Sequence, residues 1–212
     1  GVSLAVDLYV GGDLALSSGV LDIDAHTLNF GTLATISGTP SATNMILADD
    51  ASCQIFKYFP DGAGASPSFT FPIGSDDGTA EYSPVTMSFS ASDFSSAYVS
   101  ARVVNAVHPD IATADDYLAR YWALGSSGVS NMDCDLTFTF LDADVTGVKA
   151  NLYTMQFIDP SWVNYDIASG NTLTASNVSS FSDWSGASTL AYAIVAGMVI
   201  EGPYNSSTNE MS

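Results

Sequence analysis

The sequence predicts an all-β protein: an antiparallel β-sandwich, Ig-like or jelly-roll-like, preceded by short N-terminal strands arranged as a solenoid or a meander. Three observations point there. Apolar and small polar residues alternate over many short runs, the period of a half-buried strand. The clearest run is Leu136-Thr137-Phe138-Thr139-Phe140-Leu141. Clusters of Gly, Ser, Asp and Pro punctuate these runs at about the 8–12-residue spacing of a sandwich. Hydrophobic residues make up 47% of the chain and charged residues only 13%, so a substantial core lies beneath a surface of Ser, Thr, Asn and Asp. The 212 residues fit one large all-β unit or two small ones. The expected division has three parts. A short-strand region over residues 1–40 packs on or extends the main fold, a sandwich over 41–200 has two halves meeting near 108–122, and 201–212 form a linker or tail.

The elements follow in order. Leu4, Val6, Leu8 and Val10 alternate, and Gly11-Gly12 turns the chain. Leu14 and Leu16, then Leu21 and Ile23, then Leu28 and Phe30 repeat the pattern between small-residue turns, as stacked rungs or a tight meander would. Strands are expected at 45–47, 53–59 and 69–73, with Pro72 marking an edge strand or a strand end. Ser75-Asp76-Asp77-Gly78 reads as a turn rather than a calcium loop, because it lacks the D-x-D-x-D-G register. Strands follow at 82–89 and 98–104. The run 111–118 suggests one helical turn with Thr113 as its N-cap. Tyr117, Tyr121 and Trp122 then lead to the strand 136–141, expected at the centre of a sheet. Further strands fall at 151–157, 161–165 and 172–175, residues 178–184 lead onward, and the apolar run 190–200 reads as a buried final strand.

Charge excludes several roles. With 23 acidic and 4 basic residues the net charge is −19, and four scattered cations cannot form the basic patch that nucleic-acid binding needs. Anionic membrane surfaces repel such a chain. The run 190–200 is too short to span a bilayer, and no signal peptide is recognisable, so no membrane insertion is expected. The chain reads as a mature or excised piece of something longer. Cys53 and Cys134 match no metal spacing. They form either one disulfide, closing a long loop worth roughly 4 kcal/mol in the chain-entropy account, or two buried thiols.

Candidate chemistry is sparse. Asp142 and Asp144 place two carboxylates on one side of an extended segment and are the candidate ligands for Ca²⁺. The competing reading is a solvated strand end. His26 sits in a polar turn and suits a capping role. His108 adjoins Pro109 and Asp110, yet no nucleophile or oxyanion donors accompany it, so no catalytic residue can be named. Glu occurs only at 81, 201 and 210, which leaves paired-carboxylate hydrolysis unsupported, and no enzyme is expected. Trp122, Trp162 and Trp184 would form a glycan-stacking platform if exposed and coplanar, or core residues if buried.

Several pieces are familiar as an ordered set: GDLALSSGVLDIDAHTLNFG (12–31), FTFPIGSDDGTAEYSPVTM (69–87), LTFTFLDADVTG (136–147) and NTLTASNVSSFSDW (171–184) among them. In this order they resemble the all-β modules of large secreted or cell-surface proteins of Bacteroidetes, which usually carry a type IX secretion sorting domain. The resemblance implies export, an extracellular or cell-surface location, a multi-domain parent and a structural or adhesive role. It supplies no catalytic residues. The expectation is a surface module of the kind that serves as a repeating subunit of a cell-surface fibre built by strand addition, with residues 1–10 contacting a neighbouring copy or module. The alternative is a carbohydrate-binding module of a secreted polysaccharide-processing protein, with a glycan as partner.

Overall fold

Leu8, Leu28 and Ile55 stand in register above one another, and that stack sets the architecture of the N-terminal region. The computed structural model describes residues 1–111 and 114–188, with the short strands Tyr204–Asn205 and Glu210–Met211. Strands β1 (Val2–Ser3), β2 (Leu8–Val10) and β3 (Asp13–Leu16) form one rung. Strands β4 (Leu21–Asp22), β5 (Thr27–Phe30) and β6 (Thr35–Gly38) form the next, and β7 (Ile46–Leu47) with β8 (Gln54–Tyr58) gives two sides of a third. Every ladder between rungs is parallel: β1-β4-β7, β2-β5-β8 and β3-β6. A meander would pair its strands antiparallel, so the region is a solenoid. Leu8, Leu28 and Ile55 stack apolar on apolar, while Phe30 is in register with the buried Lys57; Leu28, Phe30, Ile46 and Ile55 are fully buried. Gly38 sits at a corner with φ of +97°, where a Cβ would collide with the Leu16 carbonyl.

The remaining strands build the sandwich. They are β9 (Gly62–Ala65), β10 (Ser68–Phe71), β11 (Ile73–Asp76), β12 (Ala80–Tyr82), β13 (Val85–Phe89), β14 (Ser92–Val104), β15 (Tyr117–Leu118) and β16 (Tyr121–Ser130). They continue with β17 (Cys134–Thr139), β18 (Val145–Thr146), β19 (Tyr153–Ile158), β20 (Ser161–Ile167), β21 (Thr172–Val178) and β22 (Asp183–Ala187). One sheet is antiparallel, in the order β10-β13-β17-β21. The opposing sheet runs β18-β15-β22-β16-β14-β8-β5-β2, so the solenoid's middle face continues directly into the sandwich through the antiparallel β8–β14 pair. A further sheet, β1-β4-β7-β11-β12, joins another solenoid face to the β11–β12 hairpin. The N-terminal rungs therefore extend the main fold, and the rung stack runs on to residue 58 rather than ending at 40. Among the described residues no helix is long and apolar enough to cross a membrane.

The core lies between the two large sheets. Trp122 and Trp184 are cross-strand partners in one sheet, and Phe138 of the other packs on both, with ring centroids 5.0 and 5.5 Å away. Alternation along β17 buries Leu136 and Phe138 on one face, and the strand lies inside its sheet between β13 and β21. Pro72 separates the edge strand β10 from β11, where a missing N–H disrupts no ladder. The helical turn falls at Pro109–Ile111, ahead of the expected 111–118, because Tyr117 and Leu118 pair as strand with β18. Thr113, the run 190–200 and the side chains of the 201–212 tail lie outside the described residues. Replacing Phe138 by Ala would leave a cavity between two indoles; the expected loss is about 3–5 kcal/mol, measured by urea unfolding. A loss below about 1 kcal/mol would show that the sheets do not depend on this contact.

Candidate functional site

The first rung is the candidate site, because among the described residues its ladders are satisfied on one edge only. In a strand the N–H and C=O of one residue point the same way, and successive residues alternate. Val2 and Leu4 donate to Val20 and Asp22, Val10 accepts from Gly31, and Gly12 and Leu16 accept from Thr35 and Thr39. The main-chain groups of Ser3, Tyr9, Asp13 and Ala15 therefore point away from the second rung. Among the described residues no strand pairs with that outer edge. Val2, Val6 and Tyr9 are exposed around it, Tyr9 at 66%. Side chains clamp the rung from the other side. Asp7 accepts the Thr27 N–H at 2.9 Å, and Asp13 accepts the hydroxyls of Thr35 at 2.9 Å and Ser37 at 2.5 Å. Residues 1–10 are thus built into the solenoid rather than held out as a free strand; what they offer is an edge.

The two aspartates expected to bind a cation do not converge. Asp142–Asp144 is a 3-10 turn, not an extended segment. At about 120° per residue, side chains two apart in such a turn point in different directions. Asp142 faces outward to Lys149, 2.6 Å from its Nζ, and that hydrogen bond, with Asn171 and the Lys149 charge, holds its carboxyl below the usual range. Asp144 is buried, accepting from Arg120 Nε at 3.0 Å and from the Leu141 N–H at 2.8 Å. Among the described residues no group of three His, Cys, Asp or Glu gathers in metal-holding geometry. Of the expected turn at 75–78, Ser75 and Asp76 belong to β11 and pair with Glu81 and Ala80; the chain reverses over residues 77–79, where Asp76 accepts the Gly78 N–H.

The other candidates, apart from the half-buried His26, are packed inside. Trp122 and Trp184 are fully buried and Trp162 nearly so, so of the two readings they are core residues and not a stacking platform. His108 is enclosed by the rings of Tyr121, Phe157 and Trp162, each 4.9 Å away. Its Nδ1 accepts the Asp110 N–H, so Nε2 carries the proton and donates to Asp183 at 3.2 Å. His26 lies at the corner between β4 and β5, with its backbone N–H on Ile23 and its ring 3.7 Å from Asp7. Cys53 and Cys134 are free and buried, and burial pushes both thiols up to about 12.

Two polar centres escape a reading of the sequence. Arg120 is fully buried and binds Asp144, Glu81, Ser75 and Asn105. Asp116 accepts from the Asn151 side chain at 2.8 Å and the Val148 N–H at 2.6 Å, and these hold its carboxyl below the usual range. The available signal was the scarcity of cations: an arginine placed between Ala119 and Tyr121-Trp122 in so acidic a chain points to a buried ion pair.

Removing Arg120 (Arg120→Ala) strands a buried carboxylate; the expected loss is about 3–5 kcal/mol by chemical denaturation. A depressed native pKa gives stability that is present above the unfolded value, near 3.9, and lost as pH falls toward the native one. Asp116→Asn is therefore expected to lower stability at pH 7 and to flatten the decline below about pH 4, read by melting at stepped pH. The melting temperature is expected to be the same with chelator and with millimolar Ca²⁺; a rise with Ca²⁺ would return Asp142 and Asp144 as ligands.

Comparison of the chain with models of known protein families, with curated proteins and with solved structures finds no match.

Proposed function

We propose that the chain is a structural or adhesive module displayed outside the cell, without catalytic activity of its own, which joins neighbouring copies or modules through the outer edge of its first rung. The open edge carries this reading. A parallel ladder paired on one side only presents unpaired N–H and C=O groups to any chain that can continue the stack. Here those groups belong to Ser3, Tyr9, Asp13 and Ala15, with Val2 and Val6 exposed beside them. The incoming partner would add as a further rung, lying parallel to β1, β2 and β3. The net charge of −19 and the ordered motifs resembling exported Bacteroidetes modules support the same reading. The carbohydrate-binding alternative has lost its motivating feature, since the three tryptophans are packed inside.

The N–H of Tyr9 points away from β5, so Tyr9→Pro removes an outward donor and leaves the β2–β5 ladder in place. Electron microscopy of the wild-type chain is expected to show end-to-end assemblies. Tyr9→Pro, and a deletion of residues 1–10, are expected to lose them while circular dichroism still reports β structure. Assembly undiminished in both variants would sink the proposal.

A further inference from the structure

The sheet that carries the solenoid into the sandwich has two faces, and only one is core. Leu8, Leu28, Ile55 and Val99 turn inward along β2, β5, β8 and β14, so alternation sends Tyr9, Asn29, Phe56 and Ser100 outward. The ladders set these four in one row across the strands, and Gly125 of β16 continues it. Two residues along, Tyr58 and Tyr98 stand opposite each other with ring centroids 5.7 Å apart, and Phe56 meets Tyr98 edge-on at 5.0 Å. Tyr9 is exposed and lies across Gly31, where a Cβ would collide with its hydroxyl and ring.

Beside this aromatic row is a hollow of about 230 Å³, lined by the small residues Ala123 and Gly125 and by the polar Gln54, Ser100 and Arg102. Gly125 keeps it open, since a Cβ there would come within 2.9 Å of the Ser100 Oγ. The chain has four cations, and three are engaged. Carbonyls hold Lys57, Asp144 and Glu81 hold Arg120, and Asp142 holds Lys149. Arg102 forms no ion pair among the described residues, and no carboxylate lines the hollow. Its planar fork of donors is therefore available to a ligand, beside the amides of Gln54 and Asn29, which both donate and accept.

We infer that this face binds an uncharged polysaccharide chain, lying across the strands from Tyr9 to Arg102. The chemistry of the face selects that class. Strands β5, β8, β14 and β16 are each paired on both sides, so a peptide finds no open main-chain edge here. One free arginine in a chain of net charge −19 does not hold a polyanion. A neutral sugar chain fits both kinds of group: its C–H faces pack on the rings of Tyr9 and Phe56, and its hydroxyls meet the guanidinium, amides and Ser100. Extent decides for a chain over a single sugar. Tyr9 and Arg102 lie on strands separated by β5 and β8, about 14 Å at ~4.8 Å per strand. The hollow is smaller than the roughly 300–1,000 Å³ of a cavity that encloses a whole small ligand, so it takes one substituent of a chain resting on the face. The buried tryptophans have no part in this contact. It gives the adhesive side of the proposed function a surface of its own and does not depend on the joining of copies.

The test is affinity electrophoresis of the full chain through gels holding hydroxyethylcellulose, arabinoxylan or galactomannan, with polygalacturonate and polyglutamate as charged comparisons. At least one of the neutral polysaccharides is expected to retard the chain, and the charged polymers are not. Tyr9→Ala and Arg102→Gln are each expected to weaken that retardation about tenfold, with circular dichroism unchanged. Retardation by none of the three, retardation undiminished in either variant, or equal retardation by polygalacturonate or polyglutamate would overturn the inference. Tyr9→Ala keeps the outward N–H that Tyr9→Pro removes, so a loss of retardation with end-to-end assemblies intact belongs to this face alone.

Discussion

Arg120 is a charge with no water around it, and five segments of the chain are arranged to compensate it. Isolated burial of a guanidinium costs several kcal/mol, so the site holds only if every donor finds an acceptor. Asp144 comes from the 3-10 turn after β17, Glu81 from β12, Ser75 from β11 and Asn105 from the end of β14. Ser185 of β22 donates to the Arg120 carbonyl at 2.7 Å. These partners belong to different sheets. The ion cluster therefore ties the β11–β12 hairpin, which closes the solenoid's side sheet, to the sandwich. Trp122, two residues on, donates to the Ser83 carbonyl at 2.9 Å and repeats the tie with a neutral bond.

That tie explains how a parallel solenoid and an antiparallel sandwich form one body. Parallel strands need their faces covered, and the solenoid covers its own by winding. At β8 the parallel stack meets β14 and changes to antiparallel pairing. The change leaves two consequences. Among the described residues no strand pairs with the outer edge of the first rung, and none with the free side of β6. Natural sheets usually blunt such edges with short strands, charges and prolines, and this chain uses all three: strands of two to four residues in the first rung, Asp7 and Asp13 along it, and Pro67 and Pro72 around β10. The edges that remain are short.

Local signals carried much of the fold. Alternation and turn residues located most strands, and β17 lies inside its sheet where Leu136 to Leu141 pointed. The candidate ligands were less readable. The spacing of Asp142 and Asp144 puts both on one side only in extended backbone, and the chain folds there into a 3-10 turn. Arg120 escaped because its partners lie 24 to 45 residues away apart from Asn105. No window of sequence contains them.

The sequence by itself determined the all-β class, the short strands and the turns between them, because each follows from neighbours within a few residues. Only the tertiary structure decided that the first strands stack parallel, since alternation looks the same in a solenoid and a meander. It likewise decided that the tryptophans are core, that Cys53 and Cys134 stay apart, and that Asp144 serves an arginine. Those outcomes depend on which distant strands become neighbours, and pairing of that kind is set by burial and ladder completion across the whole molecule.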